Sequence, residues 1–409
     1  MAYVGILNFP GHMNQGANLT AYALQCAVKE LGHEAINLHL HDNYVVQKIP
    51  EYTDFADKNI RMTKTEAWGE YGMQQFNRDF DTYIVGSDQV WRHIEGDFSW
   101  KTSHEFCFYL GFAEPGKRRI AMAASFGLDD YRAPESVKAR CAEELKRFSA
   151  VSVREKSAIN LVKNIADVKV EQVVDPVFYL SADDWNEFAT PANEEHKGKF
   201  IAYNSFFSRE TIAEIERGLP GGDRLVSLLA GNTAEWLGNI RDARFVISDS
   251  YHVCCFCLIF GTPFVALSCK NQGKARFDEL AEHFGFSPRR IINTEEVQDI
   301  PTAIREVMNL PHDPQPIWEK IAQSKEISYN WLKNALTAPI PEWSGSPFRK
   351  AGILDILKEK LRNQQYKSRK RILLKYYVSM LLYYTCPFKR TFINKKYKLF
   401  SWAKHHPSW

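Results

Sequence analysis

The sequence lacks the features that would indicate a disulfide framework, a zinc site or a membrane-spanning helix. Its eight cysteines do not form paired Cys-x-x-Cys clusters, and unpaired cysteines in a chain of 409 residues suit a reducing cytosol. No basic segment precedes the predicted first strand at 3–8, so we expect no signal peptide. A mostly apolar run at 376–384 is well short of the roughly 18–20 residues that span a bilayer.

Acidic residues are nearly absent from the C-terminal end. From Lys358 onward, fourteen Lys and Arg stand against one acid, a balance of +13, so the total of +3 leaves −10 for residues 1–357. A body that binds nucleic acid would more often be basic, so we expect no nucleic-acid partner. The basic, aromatic end predicts an element on an anionic membrane surface. A helix packed on the acidic body, or a basic arm that binds RNA, are the alternatives.

Alternating strands and helices predict an α/β protein with two Rossmann-like, doubly wound domains facing a cleft, plus a basic C-terminal helical tail. The first domain covers 1–180 and the second covers 199–345. Residues 181–198 are polar and acidic and are predicted to be a linker, and 346–409 form the basic aromatic tail. Within the first domain, residues 42–80 are predicted to be an irregular insertion with short helices.

The stretch around which the chain is organised is a predicted strand that ends in polar residues. Apolar residues 245–247 predict a buried strand, and Asp249, Ser250 and His252 follow before an apolar helical stretch at 253–260. Ligands of open α/β sheets bind beyond the carboxyl ends of the strands, where helix amides favour an anion. The alternative is that Asp249 and Ser250 only cap the helix and that His252 is structural.

Two other predicted strands end in polar residues. The strand at 82–85 is followed by Ser87 and Asp88, and Asp88 is a candidate base or a helix cap. The strand that begins at residue 150 ends in Arg154, which can form paired hydrogen bonds to a phosphate or carboxylate. A surface ion pair with Glu155 is the alternative.

The loop after the first strand is polar but does not match a dinucleotide-binding pattern. It lacks the spacing G-x-G-x-x-G, so the sequence gives little support for a bound dinucleotide. Its amides Asn14 and Gln15, with Asn18 just beyond, are suited to hydrogen-bonding sugar hydroxyls. A plain turn is equally compatible with this stretch.

Several motifs, in order over roughly residues 3–310, together resemble the polysaccharide pyruvyl transferase family. They are the opening Asn8…Asn14-Gln-Gly-Ala-x-Leu-Thr-Ala-Tyr-Ala-Leu24, Asp81-x-Tyr-Ile-Val-Gly-Ser-Asp-Gln-Val-Trp91, Ala124-Ser-Phe-Gly127, Val151-Ser-Val-Arg-Glu155, Val174-Asp-Pro176, Ile247-Ser-Asp-Ser-Tyr-His252 and Phe260-Gly-Thr-Pro-Phe264. Two positions depart from the family pattern, since Val253 stands where Gly is usual and Arg92 where Asn is common.

The resemblance implies a fold of the glycosyltransferase B kind and transfer of pyruvate from phosphoenolpyruvate to a sugar, commonly as a ketal. Such transfer belongs to the assembly of bacterial surface polysaccharides such as capsules. The family's donor site maps to Arg154 and His252, and a lysine about twenty residues after that histidine maps to Lys270 or Lys274. No cofactor and no metal are implied.

These observations predict a metal-independent transferase with a donor side and an acceptor side. His252 is predicted to act as the acid or to stabilise the phosphate. Asp88 and Asp249 are candidates for the base or for orienting the acceptor and the imidazole. The predicted donor-binding residues are Arg154, His252, Lys274, Lys270 and Ser250. The predicted acceptor-binding residues are Asn14, Gln15, Asn18, Ser87 and Gln89. If the acceptor is linked to polyprenyl diphosphate, the basic tail would hold this cytoplasmic protein on the inner face of the cell membrane.

Two other functions compete with this interpretation. A nucleotide-sugar-dependent glycosyltransferase of the same fold should bind a nucleotide, but the turn at 248–250 offers no clear pocket for a base or ribose. A non-catalytic assembly partner would be expected to lose the histidine or the arginine, and both are present at His252 and Arg154.

Overall fold

The computed structural model describes most of the chain up to residue 362. The described residues are 2–8, 14–41, 50–93, 105–191, 195, 197–204, 209–219, 224–268 and 275–362. The predicted donor lysines, Lys270 and Lys274, lie outside these ranges, as do residues 363–409 of the predicted tail. Among the helices of the described ranges, none is both long and apolar enough to cross a membrane.

The first domain is built on a parallel sheet, which has seven strands within the described residues, in the order β3-β2-β1-β4-β5-β6-β7. Its strands are β1 (Tyr3–Leu7), β2 (Glu34–Leu40), β3 (Met62–Ala67), β4 (Thr82–Val85), β5 (Arg118–Ala124), β6 (Ala150–Val153) and β7 (Glu171–Gln172). Its helices are α1 (Gln15–Glu30), α2 (Pro50–Asn59), α3 (Gly69–Met73), α4 (Glu135–Leu145) and α5 (Lys156–Ile165). The central pair β1 and β4 is in register with Gly5 opposite Tyr83, and β4 is entirely buried.

Two predictions for this domain need correction. The segment 42–80 is not merely an irregular insertion with helices, because 62–67 forms the edge strand β3. That strand is polar and largely exposed, and its charged side chains protect the sheet edge from pairing with other chains. A strand of this kind has no apolar run by which its sequence could reveal it. The apolar residues of 168–174 also predict a strand, from the sequence alone, and of this stretch only Glu171–Gln172 is a strand, as β7.

The second domain repeats the design on a smaller parallel sheet, with five strands in the part of the chain that the structure describes, in the order β12-β11-β10-β8-β9. Its strands are β8 (Phe200–Asn204), β9 (Arg224–Ser227), β10 (Phe245–Ser248), β11 (Phe264–Ser268) and β12 (Ile291–Asn293). The remaining helices are α6 (Ala182–Asn186), α7 (Arg209–Gly218), α8 (Thr233–Asp242), α9 (Tyr251–Phe260), α10 (Ala275–Phe284), α11 (Ile300–Met308), α12 (Gln315–Ala335) and α13 (Ile353–Arg362). The predicted pair of doubly wound domains is confirmed.

Helix α9 lies in the core of the second domain. Its cysteines Cys254, Cys255 and Cys257 are fully buried free thiols, and a buried cysteine packs as a small apolar residue. Gly261 follows the last residue of the helix as its C-cap, and its φ of 73° is a left-handed conformation that glycine adopts without steric cost. The buried helix therefore holds its first turn, which carries His252, rigidly against the sheet.

After α12 the chain returns to the first domain. The guanidinium of Arg118 donates to the carbonyl of Ala338 at 2.9 Å. Further on, α13 packs on α3, where the carboxylate of Glu359 accepts a hydrogen bond of 2.6 Å from the amide of Tyr71. Residues 337–362 thus bind the two domains together, while the domain boundaries predicted from sequence stay predictions.

Candidate active site

The carboxyl ends of the two sheets meet at a buried carboxylate, Asp175. Its Oδ1 accepts hydrogen bonds from the hydroxyl of Thr20 and the amide of Val177, both at 3.1 Å. Its Oδ2 accepts one from the hydroxyl of Ser87 at 2.8 Å. Asp175 is fully buried and so joins α1, the turn after β4 and the segment after β7 at one point.

The imidazole of His252 reaches this carboxylate from the second domain. Its Nε2 lies 3.1 Å from the hydroxyl of Thr20 and 3.5 Å from Oδ2 of Asp175. Helix α1 approaches the ring closely because its second residue is Gly16, where a Cβ would overlap the imidazole. The structure therefore brings together a predicted acid from one domain and a carboxylate from the other.

The guanidinium of Arg154 completes the cluster. Its Nη1 donates to Asp175 Oδ2 at 3.1 Å and its Nε donates to Glu155 Oε1 at 2.8 Å. The guanidinium lies 4.0 Å from the centroid of the Tyr251 ring, a cation–π contact. Among the described residues, its Nη2 is buried and has no hydrogen-bond partner. The alternative of a surface pair with Glu155 is wrong, because the pair forms in the interior.

Electrostatics hold Asp175 and Arg154 in their charged forms. Burial acts to raise the pKa of Asp175, but its interactions with His252 and then with Arg154 hold that pKa well below its usual range. Burial acts to lower the pKa of Arg154, yet negative groups led by Glu155 raise it well above its usual value. Asp175 and Arg154 thus form a buried ion pair, and one N–H group of the guanidinium has no hydrogen-bond partner among the described residues.

Asp88 stands at the rim of the cluster in a strained conformation. Its φ is 77°, in the left-handed region that residues other than glycine rarely adopt. The turn is held because the carbonyl of Asp88 accepts from the amide of Ser125 at 3.1 Å. Its carboxylate lies 4.0 Å from the guanidinium of Arg154. Backbone strain of this kind is often stored at functional sites, which is consistent with the candidate role of Asp88.

The turn after β10 is tied to neighbouring strands through its backbone. The amide of Asp249 donates to the carbonyl of Asn204 at 3.1 Å, and the amide of Ser250 donates to the hydroxyl of Ser248 at 2.9 Å. Ser250 directly precedes α9, but its side chain accepts no capping hydrogen bond from the described helix. Ser250 thus occupies the N-cap position of α9, and its carbonyl accepts from the amide of Cys254 at 3.2 Å, but its hydroxyl takes no part in capping within the described residues.

The residues predicted to bind the acceptor make internal contacts. Asn14 caps α1, and Gln15 donates to a backbone carbonyl of the second domain at 3.3 Å. Asn18 is buried, Ser87 donates to the central carboxylate, and Gln89 accepts from a neighbouring arginine at 2.8 Å. Their roles toward an acceptor stay predictions.

Four residues of the site are not among those predicted from the sequence. Thr20, Asp175 and Tyr251 contact the predicted His252 or Arg154, and Arg276 contacts the turn after β10 through a donated hydrogen bond of 3.4 Å to a carbonyl. The aspartate lies in the block Val174-Asp-Pro176, whose agreement with a family pattern was the available signal.

Comparisons with known proteins agree with this architecture. UDP-N-acetylglucosamine 2-epimerase from Rickettsia bellii superposes with a TM-score of 0.51 at 11% identity, over 82% of this chain and 96% of that chain. Arabidopsis thaliana UGT89C1, complexed with UDP-L-rhamnose, gives a TM-score of 0.50 at 11% identity, over 81% and 97%. These similarities confirm the glycosyltransferase B-like fold and, at such identity, the fold alone.

The family follows from the sequence comparison. The chain matches none of the curated proteins with which it was compared. A family model described as polysaccharide pyruvyl transferase matches residues 14–271, which is more than half of the chain. The chain therefore belongs to the polysaccharide pyruvyl transferase family.

Proposed function

We propose that this protein transfers pyruvate from phosphoenolpyruvate to a sugar, as a ketal, in the biosynthesis of a bacterial surface polysaccharide. The observation that carries the proposal is the buried cluster of His252, Asp175 and Arg154 between the domains. It offers a proton carrier beside a guanidinium with an unused N–H group. Those are the groups that an anionic enol phosphate requires.

The reaction balances without a redox step. The methylene carbon of phosphoenolpyruvate gains a proton and becomes a methyl group, while one sugar hydroxyl loses its proton and bonds to the central carbon. The phosphate leaves with the electrons of its C–O bond. A second hydroxyl then bonds to the same carbon, and its proton ends on the released phosphate.

The roles in this reaction are divided between the cluster and further residues that the sequence predicts. His252 delivers the proton, because imidazole exchanges protons near neutral pH. Asp175 orients the imidazole and stabilises its charged form, while Arg154 holds the anionic donor through fixed positive charge. Asp88 or Asp249 removes the proton from the attacking hydroxyl. Lys270 or Lys274 adds a further cation on the donor side.

The donor is tested by ligand binding and phosphate release. We expect the wild-type protein to bind phosphoenolpyruvate and to release inorganic phosphate when a mixture of lipid-linked oligosaccharides is added. Calorimetry measures the binding, and a coupled phosphate assay measures the release. A protein that does not bind phosphoenolpyruvate but is stabilised by a nucleotide sugar would contradict the proposal.

That outcome would favour the second candidate, a nucleotide-sugar-dependent glycosyltransferase. Its support is the shared fold with UGT89C1, which is complexed with UDP-L-rhamnose. A thermal-shift experiment that compares UDP-sugars with phosphoenolpyruvate therefore decides between the two donors.

We also propose that the acceptor is linked to polyprenyl diphosphate and that the tail holds the protein on the inner face of the cell membrane. The support is the sequence alone, since fourteen of the residues from Lys358 onward are Lys or Arg. Such clusters are attracted to anionic lipid.

Deleting residues 366–409 should therefore release the protein from membranes. We expect the truncated protein to lose sedimentation with vesicles that contain anionic lipid and to keep its binding of phosphoenolpyruvate. Vesicles of neutral lipid are the control. Unchanged sedimentation of the truncated protein would remove the basis for a membrane-bound tail.

A further inference from the structure

The second domain contributes a buried arginine that helix stability does not explain. Arg276 lies in the first turn of α10 and is only 9% exposed. A cation in the first turn opposes the helix dipole, which favours anions there. Burial adds the cost of removing the charge from water. A residue held at such cost needs another reason for its position.

The contacts of Arg276 leave part of its guanidinium unused. Its Nη2 donates to the carbonyl of Asp249 at 3.4 Å, in the turn after β10. Within the described residues, its Nε is buried without a hydrogen-bond partner. None of the described carboxylates forms an ion pair with it within 4.0 Å. The side chain thus brings a buried charge to the site and retains a free donor.

Arg276 faces the first domain across the cleft. It forms one wall of a small cavity whose other walls are residues 126–129, which follow β5, together with Glu155 and the start of α5 at 157–158. The same Glu155 binds the guanidinium of Arg154. Two arginines from different domains therefore border one carboxylate.

The electrostatics of this pair favour a bound anion. Burial, and after it the charge of Arg154, lower the pKa of Arg276, while Glu155 and Asp88 oppose the shift. Each guanidinium keeps one buried N–H without a partner among the described residues, Nη2 in Arg154 and Nε in Arg276. An anion between them would satisfy both donors and relieve the repulsion.

We propose that Arg276 binds one of the two anionic groups of the donor from the second domain, while Arg154 binds the other from the first. The inference rests on the proposed function, since phosphoenolpyruvate carries both a carboxylate and a phosphate. Because each domain provides one of the two arginines, the bound donor contacts both domains.

The test compares Arg276→Gln and Arg276→Lys with wild type. Calorimetry measures binding of phosphoenolpyruvate and of inorganic phosphate, and steady-state assays separate KM for phosphoenolpyruvate from kcat. We expect Arg276→Gln to weaken phosphoenolpyruvate binding by about 10- to 100-fold and to raise KM in parallel, as for a lost charged hydrogen bond. Arg276→Lys should recover part of the affinity. The exposed Arg289→Gln is the matched control and should bind as wild type does.

The outcomes separate this inference from the proposed function. If wild type binds phosphoenolpyruvate and Arg276→Gln binds it equally, Arg276 is structural and the inference fails alone. A lowered melting temperature with unchanged affinity in both variants leads to the same conclusion. If wild type binds a nucleotide sugar instead of phosphoenolpyruvate, the proposed function fails and this inference fails with it.

Discussion

Replacing His252 with glutamine should reduce phosphate release from phosphoenolpyruvate by about 100- to 10,000-fold, the range that general acid catalysis contributes. Glutamine keeps a polar group near the hydroxyl of Thr20, 3.1 Å from Nε2 in the native protein, but it cannot carry a proton to the donor. The variant should still fold, because Asp175 retains its other hydrogen bonds. The loss is expected in kcat, with affinity for phosphoenolpyruvate reduced far less.

The control for this prediction is a histidine in a comparable setting. His283 in α10 is half-buried and its Nε2 lies 2.8 Å from the hydroxyl of Ser324. His283→Gln removes an imidazole from the same domain and should leave phosphate release unchanged. Turnover by His252→Gln within a few-fold of wild type would remove His252 from the proton transfer.

The fold was largely predictable because buried parallel strands carry continuous apolar runs. Residues 82–85 and 245–247 show such runs, and both form central strands. Edge strands lack this signal. The polar strand β3 at 62–67 pairs on one side only, and β12 is three residues long, so neither was separable from loop by its pattern.

The site was predictable only where a residue directly follows a strand. Arg154 and His252 follow β6 and β10 closely, and strand ends are where ligands gather. The partners of these residues could not be found this way. Thr20 lies 232 residues from His252 in sequence, and Asp175 reads as a stop before Pro176. Only the packing of α1 and α9 brings them together.

The predicted acceptor-binding residues make internal contacts for a related reason, since a sequence does not show which partner a polar group will meet. The polar side chains of Asn14 and Ser87 suggested ligand contacts, because hydrogen-bonding capacity is all that a sequence displays. In the structure Asn14 accepts the amide of Ala17 at 3.2 Å, and Ser87 binds the central carboxylate. Whether a polar group serves the fold or a ligand depends on which partner lies nearer, and that is a property of the tertiary structure.

Asp175→Asn should lower the free energy of unfolding by about 3–5 kcal/mol at pH 7, the cost of removing one partner from a buried ion pair. The substitution removes one of the carboxylates paired with Arg154, the one at 3.1 Å, while Glu155 remains and the new amide oxygen can still accept from Thr20 or Ser87. Urea unfolding measures the change. Asp183→Asn, at an exposed position of α6, is the control and should be neutral.

The contribution of Asp175 to the stability of the fold depends on pH, and the direction of that dependence follows from its shifted pKa. His252 and Arg154 hold the folded-state pKa of Asp175 below its usual range, despite the opposing effect of burial. The ionised carboxylate therefore stabilises the fold above the unfolded pKa of about 3.9, and the stabilisation is lost as pH falls through the folded value. The difference between wild type and Asp175→Asn should shrink as pH falls below about 4.

Two measurements on Asp175→Asn, the free energy of unfolding and the rate of phosphate release, separate an effect on stability from an effect on function. Some buried ion pairs add no net stability, since desolvation of the charges offsets their attraction. A variant that unfolds as wild type does, yet releases phosphate far more slowly, would show that Asp175 acts by supporting the charges of His252 and Arg154. A variant with wild-type stability and wild-type turnover would contradict the central role assigned to this carboxylate, because neither the fold nor the chemistry would then depend on its charge.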